Sequence, residues 1–345
     1  VLTGENPVQF RGGAQRTGVT DEIGPLGPPE VAWQHTLGST TYSAAVRSGE
    51  LVFTGSDTGS LVALSAEDGS TVWEFASGGD ISSTPAIVDG VVYVGSFDGY
   101  LYAINGTTGD LVWSFDAGGI IHASPLIIGD GAVIATYAGE LISVDIDTAE
   151  AHWRYPIAEQ TNASAASVDQ IVVIGDNGGV LHAVARETGA EIWQTPLGNA
   201  AFATPAIADG VIYIGDFGGA FWAIDVESGD VLWTQQIPDS IFASAAVGED
   251  VVITGGDDGV VYAWNRVSGE LAWTFETDDM VRASPIISGA LVYVASHDGF
   301  LTALNISDGS VAWQLDIGGQ MTSPFAGNGV IYVNLVAGEM LALVE

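Results

Sequence analysis

The chain has no cysteine and no lysine. The first absence excludes disulfides, thiolate metal sites and a cysteine nucleophile. The second leaves seven arginines as the only permanent cations against 43 carboxylates, a formal net charge of −36. Such a surface repels phosphate backbones, so nucleic acid is excluded as a partner. Apolar runs are too short to span a bilayer as helices, and the expectation is a protein that does not cross a membrane. Helix-length periodicity is also missing, so a phosphate loop opening a helix or a zinc-binding helix has no place to sit. The acids are spread over turns and strand ends rather than gathered in a tail. That distribution suits a body kept soluble at high salt, where repulsion is screened within a few ångströms. The start at Val1, without methionine, fits a trimmed form of an exported protein, and an extracytoplasmic location is expected.

What the chain has in quantity is tryptophan at one spacing. Trp33, Trp73, Trp113, Trp153, Trp193, Trp233, Trp273 and Trp313 recur every forty residues without a slip. Within the unit that ends near Phe115, the runs Ser83–Val88, Val91–Gly95, Tyr100–Asn105 and Leu111–Phe115 read as four short strands. Their separators, Asp89-Gly90, Asp98-Gly99 and Thr108-Gly109, are tight-turn pairs, and counterparts recur at Asp209-Gly210, Asp258-Gly259 and Asp298-Gly299. A forty-residue, four-stranded unit is one blade, and it buries both faces only between neighbours in a ring. The fold class predicted is all-β, an eight-bladed propeller of four-stranded antiparallel blades.

Seven whole blades are expected over 40–316. Residues 320–345 supply three strands of an eighth and lack the one that bears tryptophan. Residues 28–36, with Trp33, provide it, so the N-terminal strand should close the ring and remove its exposed sheet edges. Residues 1–27 form a lead-in segment expected to pack across the side or one face. The whole chain, 1–345, is then a single domain, and a monomer is expected.

Each unit also carries an eleven-residue pattern: Ala first, Asp or Asn third, Gly seventh, Trp last. It stands at Ala103/Asn105/Gly109/Trp113, Ala223/Asp225/Gly229/Trp233, Ala263/Asn265/Gly269/Trp273 and Ala303/Asn305/Gly309/Trp313, with partial copies at Ala63/Gly69/Trp73 and Ala183/Gly189/Trp193. One unit departs, with Ser143 and Ala149 before Trp153. The pattern resembles the tryptophan-docking motif of the pyrroloquinoline-quinone (PQQ) repeat propellers, which include quinoprotein alcohol dehydrogenases and the BamB scaffold of outer-membrane assembly. Phe10-Arg11-Gly12-Gly13 and Arg16-Thr17-Gly18 are similar to the lead-in of small members. The resemblance implies an eight-bladed ring and either a binding scaffold or a PQQ- and Ca²⁺-dependent dehydrogenase.

Two columns of the repeat map to the channel mouth. The first reads Tyr42, Ser82, His122, Asn162, Phe202, Phe242, Arg282 and Met321. The second, in the turn before each third strand, reads Asp57, Phe97, Tyr137, Asn177, Phe217, Asp257, His297 and Val336. Everything else in the unit repeats, whereas these positions change in size and polarity, so they are the candidate rim of a pocket or partner surface. Asp176, Asp216, Asp257 and Asp258, on three consecutive blades, are candidate oxygen ligands for a hard cation such as Ca²⁺. The plainer reading of turn aspartates is solvated caps. PQQ carries three carboxylates and needs fixed cations, yet only His122 and Arg282 are basic in the first column. The chain also lacks the vicinal disulfide and inserted loops that the dehydrogenases imply. The five histidines show no paired metal spacing and no adjacent nucleophile. A non-catalytic propeller that binds a protein or small ligand is therefore expected, with no cofactor.

The charge pattern gives the first test. On dialysis from molar salt into dilute buffer the protein is expected to expand or unfold, visible as loss of the β circular-dichroism signal. Unchanged spectra and melting would reject adaptation to high salt.

Overall fold

A computed structural model describes residues 7–20, 22–157 and 159–345. Eight antiparallel sheets follow one another around a central channel. The first blade comprises Val46–Ser48, Leu51–Gly55, Ser60–Ser65 and Thr71–Ala76, innermost to outermost. Six more blades repeat that order, the last ending at Val311–Asp316. The eighth takes Phe325–Gly327, Val330–Leu335 and Glu339–Val344 from the C-terminal end, and its outermost strand is Glu30–Thr36. That strand runs antiparallel to the C-terminal one, Val31 opposite Leu343 and Thr36 opposite Glu339. The expected closure is thus present. One blade exceeds the expectation: Val19–Thr20 adds a parallel strand to Ile286–Ser288, so the seventh sheet has five strands.

The sequence pattern explains each joint. A bulge in the outermost strand shifts register just before the tryptophan, so Trp73 faces Ala63, Trp193 faces Ala183 and Trp273 faces Ala263. The alanine leaves room for the indole to swing over the next blade. There the ring lies on the turn between the third and fourth strands. Gly69 sits under Trp33 with φ of +71°, and a Cβ placed on it would meet the ring at 2.5 Å. Glycine meets both the close approach and the left-handed backbone without strain. At the departing unit Ala149 holds the same backbone, φ 57°, in glycine's place.

Each indole N–H is also satisfied across the joint. Trp33 donates to the Ala66 carbonyl (3.1 Å), Trp73 to Gly106 (2.9 Å), Trp153 to Arg186 (2.7 Å) and Trp273 to Ile306 (2.7 Å). At the last joint the chain has no turn to offer, and Trp313 donates instead to Pro25 of the lead-in (3.3 Å). Apolar clusters fill the space inside these joints, as where Phe53, Leu61 and Trp73 of one blade meet Ile87, Val92 and Ile104 of the next.

A second belt lies at the channel wall. Backbone N–H groups at the start of successive innermost strands donate to the hydroxyl of the following blade: Ala44 to Thr84, Thr84 to Ser124, Ser124 to Ser164, and onward to Ser284. Ser284 completes the run by donating to Ser323. The join between last and first blades uses Asn334 instead, whose Nδ2 donates to Ser43 O (2.8 Å) and Thr54 Oγ1 (2.7 Å).

The lead-in segment does pack across one face. Its backbone bonds the far ends of the innermost strands, Val8 with Ile87, Ala14 with Ser167, Gln15 with Ile207, Thr17 with Val247 and Gly18 with Ile287. It therefore caps the channel at the end opposite the two variable columns. Residues 1–6 and 21 of the expected lead-in lie outside the described residues.

Trp193→Ala is expected to cost about 3–5 kcal/mol, the usual loss for a large aromatic in a packed joint. Equilibrium denaturation reads this as a lower midpoint, and an unchanged midpoint would remove the tryptophans from ring cohesion.

Candidate binding face at the channel mouth

The two columns meet as one ring because one hydrogen bond recurs beneath them. The N–H of each second-column residue donates to the carbonyl two places before the first-column residue of the same blade: Asp57 to Thr40, Phe97 to Asp80, Phe217 to Ala200, His297 to Met280. First-column side chains then reach the second column of the preceding blade. Ser82 Oγ donates to Asp57 (3.4 Å), His122 packs on Phe97 (5.8 Å between ring centroids), and Arg282 clasps Asp257.

Two clusters result. In the first, His122 stacks on Tyr137 at 5.9 Å, Asn162 Nδ2 donates to the Tyr137 hydroxyl (2.8 Å), and Asn177 Nδ2 donates to Asn162 Oδ1 (2.9 Å). In the second, Phe202 and Phe242 stack at 5.2 Å and 7°, with Phe217 edge-on to both at 5.6 and 5.4 Å. Arg282 lies over the Phe242 face at 4.4 Å. It also donates from Nε and Nη2 to the two Asp257 oxygens, both at 2.8 Å. That bidentate bond raises the Arg282 pKa above its ordinary value. Phe217 is 48 % exposed and Tyr42 is 62 % exposed. The arrangement is an open aromatic platform with one neutralised cation at its edge.

Around it, polar atoms lack partners. His122 Nδ1, His297 Nδ1, Asn177 Oδ1, Thr322 Oγ1 and Asn334 Oδ1 are buried without a hydrogen bond among the described residues. These atoms are spread over the third, fourth, seventh and eighth blades, whereas buried polar atoms are normally satisfied.

Met321 is corrected by the structure. The lead into the eighth blade is one residue shorter, since Ser284 and Ser323 are 39 apart where the other belt partners are 40 apart. Val336 therefore bonds Gln320, Thr322 takes the first-column position, and Met321, 3 % exposed, drops into the core. Asn334 is a residue that sequence reasoning passed over. It ends a column that otherwise reads Gly55, Gly95, Ala135, Gly175, Gly215, Gly255 and Ala295, and that break was the available signal.

The four candidate metal carboxylates do not converge. Asp176 accepts from Val180 N (2.8 Å) and contacts His182 Nε2 (3.0 Å). Asp216 accepts from Gly218 N, Ala220 N and Trp222 Nε1, and burial raises its pKa. Asp257 holds Arg282, and Asp258 accepts from Tyr262 (2.6 Å). Each is engaged within its own blade or by the next one. The one grouping of possible ligand atoms among the described residues is in the third blade: Asp130 in the turn between its two innermost strands, Asp145 at the end of its third strand and His152 in its outermost one. Tyr155, His182 and Asp176 form a hydrogen-bonded chain, 3.1 and 3.0 Å, with the order of an acid–base triad. His182 is 2 % exposed and Asp176 is fully buried, so the chain is core, closed to substrate.

The fold is that of a repeat propeller with a capped channel and one variable mouth. The family described as outer membrane protein assembly factor BamB matches residues 28–171, 161–241 and 238–344, and the chain belongs to it. No curated protein matches the chain. Among solved structures it is similar to BamB from Moraxella catarrhalis, at 23% identity over 92% of this chain and 100% of that one, with a TM-score of 0.81. It is also similar to the quinohemoprotein alcohol dehydrogenase ADHIIG from Pseudomonas putida HK5, at 14% identity over 99% and 80% of the two chains, TM-score 0.84. A europium-containing methanol dehydrogenase aligns at 13% identity over 98% of each chain, TM-score 0.84. At these identities the likeness is one of fold. Among the described residues, no helix is long and apolar enough to cross a membrane.

Burial holds the His122 imidazole below its ordinary 6.5, against the opposing pull of the Asn162 backbone and the Asp57 charge. The unfolded chain then takes up the proton first, so this group costs stability as pH falls below about 6.5. A ring titration followed by NMR is expected to show His122 neutral at pH values where a free histidine is charged. A midpoint at or above the free value would contradict the burial.

Proposed function

We propose that this protein is a non-catalytic binding scaffold that presents its channel mouth to a protein partner outside the cytoplasm. The observation that carries the reading is the Phe202–Phe242–Phe217 platform with Arg282 at its edge. Partly exposed aromatics and arginine held rigidly together are the composition of interface hot spots. Membership of the BamB family supports both the scaffold role and the envelope location. The acidic, lysine-free surface favours solubility at high salt over broad, nonspecific adhesion.

A small ligand in the mouth, PQQ with Ca²⁺ included, is the competing occupant. The donor set counts against PQQ. Its three carboxylates need fixed cations, whereas Arg282 is already engaged by Asp257 and burial lowers the pKa of both His122 and His297. Asp57 and Asp216 would add repulsion at the same mouth.

The decisive experiment is partner capture from a salt-matched native extract of the source cells, followed by affinity measurement with the purified partner. Phe202→Ala with Phe242→Ala is expected to weaken binding by roughly thirtyfold or more, the effect of losing about 2 kcal/mol at a hot spot. Val267→Ser, on an exposed outer turn, is expected to leave it unchanged. Retained affinity in the double variant overturns the assignment of the mouth. Stoichiometric retention of PQQ with Ca²⁺ on gel filtration, together with dye-linked alcohol oxidation, moves the protein to the enzymes.

A further inference from the structure

With about six carboxylates for every arginine, each arginine has ion-pair partners in excess. Three use them: Arg154 with Glu140 (2.7 Å), Arg266 with Asp209, and Arg282 with Asp257 (2.8 Å). Among the described residues the other four, Arg11, Arg16, Arg47 and Arg186, have no carboxylate partner. These four share one end of the molecule. Arg11 and Arg16 lie in the lead-in that caps the channel, Arg47 in the innermost strand of the first blade beside its turn, and Arg186 in an end turn of the fourth. Arg11, Arg47 and Arg186 line a single cavity of about 950 Å³, and Glu22 is the one carboxylate among its described lining residues. Among those described lining residues the charge balance of the whole chain is inverted.

The guanidinium groups are also short of counter-charge. Arg16 is fully buried and donates to the carbonyls of Phe10 (2.5 Å), Pro125 (2.8 Å) and Ala165 (3.2 Å). Arg11 is 7 % exposed, donates to the carbonyls of Pro285 (3.2 Å) and Ala245, and keeps a buried Nε with no acceptor. Burial lowers both pKa values to about 9, so both remain cations at neutral pH. The penalty for burying them charged is therefore fully present at pH 7 and eases only as pH rises above about 9. Arg47 donates from Nε to Gly49 O (3.0 Å), and Arg186 donates from Nη1 to Asp169 O (3.3 Å). Neutral carbonyls orient these groups without neutralising them. The rest of the wall is apolar at Phe10, Ile127 and Phe325 and polar at Gln9, Thr84 and Ser323.

We propose that this cavity, at the capped end of the channel, binds an organic anion with a carboxylate or phosphate head and an apolar body. The head pairs with an arginine of the wall, where an ionised acceptor makes stronger hydrogen bonds than a carbonyl does. The body lies along Phe10, Ile127 and Phe325. Because the site is on the face opposite the variable columns, it is independent of the partner reading of the mouth.

The test is calorimetric titration of the full chain with decanoate and with decyl phosphate, at the ionic strength where it is folded, using inorganic phosphate and decanol as head-only and body-only probes. At least one of the two amphiphilic anions is expected to bind at one site and raise the melting midpoint, and the tighter of them identifies the head. Each partial probe is expected to bind at least about tenfold more weakly, because half of the contacts are lost. Arg47→Gln with Arg186→Gln is expected to reduce affinity for the anion about tenfold or more, while Phe202→Ala with Phe242→Ala leaves it unchanged. Should the arginine pair disturb folding, Arg186→Gln alone, on its outer turn, carries the same expected direction. The proposal is overturned if neither anion binds, if decanol binds as tightly, or if the folded arginine variants bind as the parent does.

Discussion

Everything in this molecule depends on the tryptophan that leaves one blade and seats on the next. A four-stranded sheet of this length cannot bury both faces alone, and the indole supplies area, shape and one hydrogen bond at each joint. The three residues that accompany it follow physically. Alanine opposite makes room, glycine beneath permits contact and a left-handed backbone, and a turn carbonyl accepts the N–H. The same device at the eighth joint recruits Pro25, because no turn exists there to receive Trp313. The break in the chain is therefore covered by the lead-in.

A ring made this way leaves two unlike ends. At one, the lead-in bonds the ends of the innermost strands and buries two arginines on carbonyl oxygens. At the other, recurrent backbone bonds hold the loops in one shape, so the side chains of the two columns differ from blade to blade on a constant frame. The aromatic platform and the neighbouring unsatisfied polar atoms occupy that second end. Fold likeness to a scaffold and to dehydrogenases does not choose among activities, since the ring is common to all of them. The side chains at the mouth bear on that choice, and here they are aromatic platform and engaged acids.

Much of the architecture was legible because it repeats. Eight tryptophans in one register gave the blade number, and the missing outermost strand after Trp313 pointed to Glu30–Thr36. The candidate rim was legible by the opposite criterion, variation against a constant background. Met321 escaped because a one-residue deletion between Gln320 and Ser323 is invisible until the hydrogen-bond register is known. Asn334 escaped because a single polar residue ending a Gly/Ala column is a weak signal beside eight tryptophans. The four aspartates on successive blades were near in sequence phase, yet each carboxylate is taken up by local donors that a phase argument does not count.

By itself the sequence determined the local chemistry: strand length, turn type, repeat number and the joints that the repeat itself builds, because these depend on contacts repeated at fixed spacing. Tertiary structure alone decided which singular residues meet. Arg11, Arg47 and Arg186 come from three distant stretches, and Phe202, Phe217, Phe242 and Arg282 from successive blades. Closing the circle puts the first set on the wall of one cavity and the second in one platform. Spacing along the chain encodes a period, whereas only the closed ring converts positions in that period into neighbours across a cavity.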